Sequence, residues 1–181
     1  MSKRVLLIHG WGGSPKGGWC PWLKKHLELH GFNVESLEMP NPDNPLKEEW
    51  VDEITAAVGG EQDVVLVGHS LGCPAILRFL ESGGRASACV LVAGFAEDLG
   101  IVEIRNFVFK PFDWIAIRSA CTRFQVINSQ DDPYVPTEQG RLLANKLSAG
   151  LRMVSKVKHI STREEAVRAG VLETILEVAS E

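Results

Sequence analysis

The 181 residues predict an α/β fold in three layers, an open parallel sheet of about six strands with helices on both faces. Two features carry this expectation. Short runs rich in Val, Ile and Leu recur six times, and their near-continuous apolar character is that of strands buried on both sides. Segments with the 3.6-residue period of a helix separate them, and strands that alternate with helices build a parallel sheet covered above and below.

In chain order, the first strand is expected at Val5–Ile8, followed by a helix over Trp19–Leu29 and a strand at Val34–Leu37. The next helix spans Leu46–Val58, where Trp50, Ile54, Ala57 and Val58 fall at i, i+4, i+7 and i+8 and so form one apolar stripe. A strand at Val64–Val67 leads into a helix over Cys73–Leu80, and Cys89–Val92 is the fourth strand. Residues Phe95 to Cys121 are too long for an ordinary connection of about 2–6 residues. They concentrate Phe95, Phe107, Phe109, Phe112, Trp114 and Pro111, which fits either a lid or binding loop or a plain cover over one sheet face. Phe124–Ile127 is the fifth strand, with Thr137 as a candidate N-cap for a helix running to Leu147. Leu151–Val157 is a weaker sixth strand, interrupted by Ser155 and Lys156. Ser161-Thr162-Arg163-Glu164 has the capping-box pattern that opens a final helix over Arg163–Val178.

Length and composition narrow the function. One domain over 1–181 is expected, with the aromatic insertion at about 95–121 beside the active site. The chain has 23 acidic against 19 basic residues, which leaves no electrostatic footprint for nucleic acid or an anionic membrane. No apolar run approaches the roughly 18 residues of a membrane span. The apolar stretch after Lys3-Arg4 ends at His9-Gly10, too short for a signal peptide. Cys20, Cys73, Cys89 and Cys121 match no metal-ligand spacing and are expected as buried free thiols, so a cytoplasmic protein is the default.

The chemistry is carried by Gly68-His69-Ser70-Leu71-Gly72, a Gly-x-Ser-x-Gly pentapeptide. It is a weak signal alone. Here it lies between a strand-like and a helix-like segment, the strand–turn–helix setting in which a serine is displayed on a turn too tight for side chains two positions away. A serine hydroxyl is a poor nucleophile at neutral pH and needs a base, which in turn needs an acid to orient it. His159 is the one histidine after Ser70, placed on a loop behind the last strand. The candidate acid is Asp132 in Asp131-Asp132-Pro133, with Asp131 and Asp98 as alternatives. An oxyanion needs backbone N–H donors. Those of Leu71, at a helix start, and Trp11, in the glycine-rich loop His9–Pro15, are the candidates. His9 and His69 read as structural, and the glycine loop lacks the spacing of a phosphate cradle. Trp11, Phe95, Phe109, Phe112 and Trp114 are the candidate pocket residues. No metal site or organic cofactor is implied.

Taken together, the glycine loop with Trp19 and Trp22 behind it, Met39-Pro40-Asn41-Pro42, the Gly68–Gly72 turn, Phe109-Lys110-Pro111-Phe112-Asp113-Trp114 and Asp131-Asp132-Pro133 resemble the α/β-hydrolase superfamily. Within it, the chain resembles the small retinoblastoma-binding-protein-9-like serine hydrolases over essentially its whole length. That resemblance implies a minimal α/β-hydrolase fold with strand order 2-1-3-4-5-6 and a triad on Ser70, Asp132 and His159. It implies an ester- or amide-cleaving enzyme working through an acyl-serine. Alternatives on the same scaffold are a thioesterase or acyltransferase, or an interaction module with little turnover, since the family name records a protein partner. One departure stands out. The family usually has Gly before the catalytic His and Phe after it, where this chain has Lys158 and Ile160.

Overall fold

The computed structural model describes residues 2–161 and 165–180. Its six strands are β1 (Arg4–Ile8), β2 (Asn33–Ser36), β3 (Val64–His69), β4 (Ala88–Val92), β5 (Phe124–Ser129) and β6 (Gly150–Val154). They form one sheet in the order β2-β1-β3-β4-β5-β6, every neighbouring pair parallel, as the sequence and its resemblance predict. The helices are α1 (Cys20–Leu29), α2 (Lys47–Val58), α3 (Gly72–Glu81), α4 (Trp114–Ala120), α5 (Thr137–Leu147) and α6 (Glu165–Ser180), with a 3₁₀ helix at Val102–Phe107. Among the described residues, no helix is long and apolar enough to cross a membrane.

Period-two alternation along the strands builds two cores. Leu6, Ile8, Val64, Leu66, Cys89, Leu91 and Val126 face α2, α3 and α5 on one side. Val5, Leu7, Val65, Val67, Val90 and Val92 face α1 and α6 on the other. Because β1 leads outward to β2 and β3 leads the opposite way to β4, the crevice between the carboxyl ends of β1 and β3 is the switch point where open α/β sheets take ligands.

Helix α3 is buried from Gly72 to Leu80, Arg78 included. A guanidinium this deep is tolerable only when its donors are used. Its Nε donates to the Phe107 carbonyl at 2.8 Å and one terminal nitrogen to Glu81 at 2.6 Å. The other donates to the Lys110 carbonyl, and the Phe112 ring lies 3.7 Å from its central carbon. Phe107, Lys110 and Phe112 of the insertion thus dock onto Arg78, and Trp114 packs on Phe112 at 5.2 Å between centroids. The insertion contains a helix, α4, that hydrophobic periodicity does not reveal. Asp113 starts it by accepting the N–H groups of Ile115 and Ala116 at 3.1 and 3.0 Å.

Three further boundaries differ from the sequence reading. Strand β6 stops at Val154 rather than Val157, and Lys156 already has a left-handed φ of 62°. Pro136, not Thr137, holds the N-cap position of α5. The capping box Ser161–Glu164 falls mainly outside the described residues, and α6 is described from Glu165.

Candidate active site

Five loops converge at the carboxyl edge of the sheet, one each after β1, β3, β4, β5 and β6. Ser70 lies between β3 and α3 with φ 53°, a left-handed conformation that costs a side-chain-bearing residue about 1–2 kcal/mol and marks strain held by its surroundings. The surroundings are explicit. Its N–H donates to the Val92 carbonyl at 2.8 Å, while its carbonyl accepts Cys73 N–H at 3.0 Å and so begins α3. A Cβ on Gly68 would sit 2.8 Å from the Gly72 backbone, and one on Gly10 would sit 3.1 Å from the Ser70 Cβ. The glycines are there because backbone passes over backbone.

His159 Nδ1 donates to Asp132 Oδ2 at 2.7 Å, since the carboxylate can only accept. The Asp132 side chain is fully buried, and its other oxygen accepts Tyr134 and Val135 N–H at 2.9 and 3.0 Å. The imidazole is thus held as the tautomer whose Nε2 is an acceptor. Of the two alternative acids, Asp98 is spent on Arg105 at 2.7 Å and on Gly100 N–H. Asp131 instead braces the His159 loop. Its carboxylate accepts the Ser129 hydroxyl at 2.8 Å and the Val157 and Lys158 amides at 3.3 Å each. That hydroxyl first, and then the loop amides, hold the Asp131 carboxyl below the usual range.

Ser70, His159 and Trp11 line two cavities in common, each of about 240 Å³, although no hydrogen bond joins Ser70 Oγ to His159 in this conformation. One cavity runs along the glycine loop past Gly13, Ser14, Gly18, Trp19 and His69. The other is walled by Phe95, Leu99, Ile101, Ile104, Tyr134 and Val135. Neither the Trp11 nor the Leu71 backbone N–H has an acceptor among the described residues. The Trp11 indole is anchored by its Nε1 to the Asp43 carbonyl at 2.9 Å, and Gly12 N–H is bound to the Pro42 carbonyl at 2.8 Å.

Of the five candidate pocket residues, Trp11 and Phe95 therefore lie at the cavities. Phe109 is 81% exposed, Phe112 packs on Arg78 and Trp114 on Phe112, and none of the three lines either cavity. Composition missed Leu99, Ile101, Ile104 and Tyr134. Tyr134 alone had a signal, its position two residues beyond Asp132, and its ring meets the His159 ring edge-on at 5.2 Å. Among the described residues, no group of three or more His, Cys, Asp or Glu is placed to hold a metal.

A family model for serine hydrolases matches residues 5–169. The chain belongs to the serine hydrolase family. YdeN of Bacillus subtilis (strain 168) is 38% identical to this serine hydrolase over 164 residues, covering 88% of this chain and 86% of that protein. The serine hydrolase RBBP9 of Rattus norvegicus is 26% identical over 166 residues, 89% of each chain. The crystal structure of the ydeN gene product from B. subtilis superposes with a TM-score of 0.91 at 34% identity, over 99% of this chain and 100% of that one. Est1E from Butyrivibrio proteoclasticus has a TM-score of 0.80 at 15% identity over 99% and 89% of the two chains, a likeness of fold.

The position where the family usually has glycine acquires a physical reason in this serine hydrolase. Lys158 has φ 51°, and Ile160, on the far side of His159, has φ 50°. A lysine and a β-branched residue are held in glycine-like conformations, which only a loop pinned from several sides tolerates. Besides Asp131 and Asp132, the pins are Trp19, whose Nε1 donates to the Ile160 carbonyl at 2.8 Å, and His69, whose Nε2 lies 2.9 Å from the His159 carbonyl.

His69 does this as a neutral donor. Burial first, then the neighbouring His159 imidazole, lowers its pKa from 6.5 to about 4. His9 is also lowered, chiefly by burial. It donates Nδ1–H to the Gly10 carbonyl and accepts Met39 N–H on Nε2. Between those two pH values the unfolded chain binds a proton at residue 69 that the folded chain refuses. Stability is therefore complete above about pH 6.5 and falls as the pH drops toward 4, by about 2–3 kcal/mol at roughly 1.4 kcal/mol per unit. Urea midpoints of wild type and His69→Gln at pH 7.5 and 4.5 test this. The variant is expected to lose clearly less on acidification, and equal losses would refute the assignment.

Proposed function

We propose that this serine hydrolase cleaves uncharged carboxylic esters or amides through an acyl-enzyme on Ser70. Ser70 Oγ attacks the carbonyl carbon as its proton passes to His159 Nε2. The Asp132 carboxylate holds the imidazole and stabilises the imidazolium that forms, and the Trp11 and Leu71 N–H groups receive the oxyanion. On collapse, the bond to the leaving group breaks and His159 returns the proton to the departing oxygen or nitrogen. A water deprotonated by His159 then attacks the acyl-serine, releasing the acid and regenerating Ser70.

The single observation that supports this reading most is the 2.7 Å bond from His159 Nδ1 to a fully buried Asp132, in a residue that shares both cavities with a serine held at φ 53°. The four cysteines, all free and buried, fit a reducing compartment such as the cytoplasm. Burial pushes the Cys20 thiol up to about 11 and raises Cys73 further, so both stay protonated at neutral pH.

A fluorophosphonate probe tests the proposal. One label per chain is expected in the wild type and none in Ser70→Ala. Label that persists in the variant, or is absent from a folded wild type, would overturn it.

A further inference from the structure

We propose that the acyl half of the substrate is an uncharged aliphatic chain seated against Phe95, Leu99, Ile101, Ile104 and Val135, while the leaving group lies along the glycine loop. This assignment rests on the serine-hydrolase chemistry proposed above. The two cavities meet at Ser70 and His159 but differ in their walls. The first offers aliphatic and aromatic side chains, with Tyr134 at the imidazole edge. Among the described residues no Asp, Glu, Lys or Arg lines it, so a carboxylate or α-ammonium on the acyl group would be desolvated there without a partner. The second sets Trp19 and Cys20 beside His69, Ser14, Ser161 and the open backbone of the glycine loop; it too is partly apolar, but its hydroxyl, imidazole and backbone groups give partners to a hydroxyl or amine that must leave once protonated.

The acyl group stays covalently on Ser70 through the second half of the cycle, so burying it in the apolar cavity keeps it in place while the leaving group exits on the other side. A volume of about 240 Å³ holds on the order of eight groups of water or methylene size at about 30 Å³ each, which points to chains of up to about eight carbons. The specificity determinants are Leu99 and Ile101. Both come from the insertion and are only partly buried, so a larger side chain at either fills the cavity without entering the core.

The test is a series of p-nitrophenyl esters from acetyl to dodecanoyl, with wild type, Ile101→Trp and Leu99→Trp each also labelled by fluorophosphonate. In the wild type, kcat/KM is expected to rise about fourfold per added methylene, the equivalent of about 0.8 kcal/mol, and to stop rising near eight carbons. In each Trp variant the ratio of octanoyl to acetyl kcat/KM is expected to fall at least about tenfold, because the indole occupies the space of several methylenes. Three results would each overturn the assignment in an enzyme that still labels. They are a flat chain-length profile, a preference for an α-ammonium acyl ester, and a profile unchanged in both variants. Absence of wild-type labelling would instead remove the catalytic reading beneath it.

Discussion

On the acyl-enzyme reading proposed above, Asp132→Asn is expected to lower kcat by about 10³–10⁴-fold while leaving the fold and stability nearly unchanged, the effect that this exchange has in an established Ser-His-Asp triad. The reason lies in which way the new amide must face. Asp132 Oδ1 accepts two backbone N–H groups, from Tyr134 and Val135. An NH₂ group placed there would oppose two donors, so the asparagine carbonyl takes that position and its NH₂ points at His159. His159 Nδ1 then has to accept, the proton moves to Nε2, and the imidazole can no longer take a proton from Ser70. Isosteric size keeps the fully buried position filled. Steady-state kinetics on a single ester, paired with a urea melt, check this, and a loss of less than tenfold in kcat would contradict it. Asp131→Asn serves as the comparison. It touches the same loop through the Val157 and Lys158 amides but not the imidazole, so it leaves the tautomer alone.

Much of the placement of this candidate site was legible in the sequence for reasons that are local. The Gly68–Gly72 turn, the acid loop after β5 and the lone downstream histidine each sit one loop beyond a strand, and a parallel sheet delivers all such loops to one edge. The choice of Asp132 over Asp131 was legible as a preference only, because neighbouring carboxylates differ in direction and not in type; here one reaches the imidazole and the other the backbone beside it. The insertion was the hard part. Its aromatic density says that something is covered, but not what. A single buried arginine in α3 decides it by drawing Phe112 and the carbonyls of Phe107 and Lys110 onto itself. That leaves the cavity wall to Leu99, Ile101 and Ile104, aliphatic residues with no signature in a sequence. Helix α4 escaped notice for a related reason. At seven residues it has too few turns to display a period, and its clearest mark is the Asp113 cap.

Gly72→Ala is expected to destabilise the fold by about 3 kcal/mol or more, far beyond the roughly 1 kcal/mol or less by which alanine normally improves a helix position. Gly72 is the first residue of α3, with no positive φ to explain it, so backbone freedom is not what the site requires. The constraint is space. A methyl there would fall well inside contact of the Ile8 carbonyl oxygen and 3.0 Å from that of His9, the last strand residue of β1 and the first of the glycine loop. Neither atom is the end of a flexible side chain that can swing away. Relief requires α3 to lift from the sheet, and α3 carries the Ser70 turn at its start and nine consecutive buried residues behind it. The damage therefore couples stability to geometry. The melting temperature is expected to fall by roughly 6–12 °C, at about 2–4 °C per kcal/mol for a chain of this size. Ser70 labelling in the surviving folded fraction is expected to slow as well. Gly83→Ala is the control, at a position where an added methyl meets nothing within 4 Å but φ is 103°, so only backbone strain is introduced. If Gly72→Ala melts no lower than that control, close passage of α3 over β1 is not what shapes the nucleophile turn.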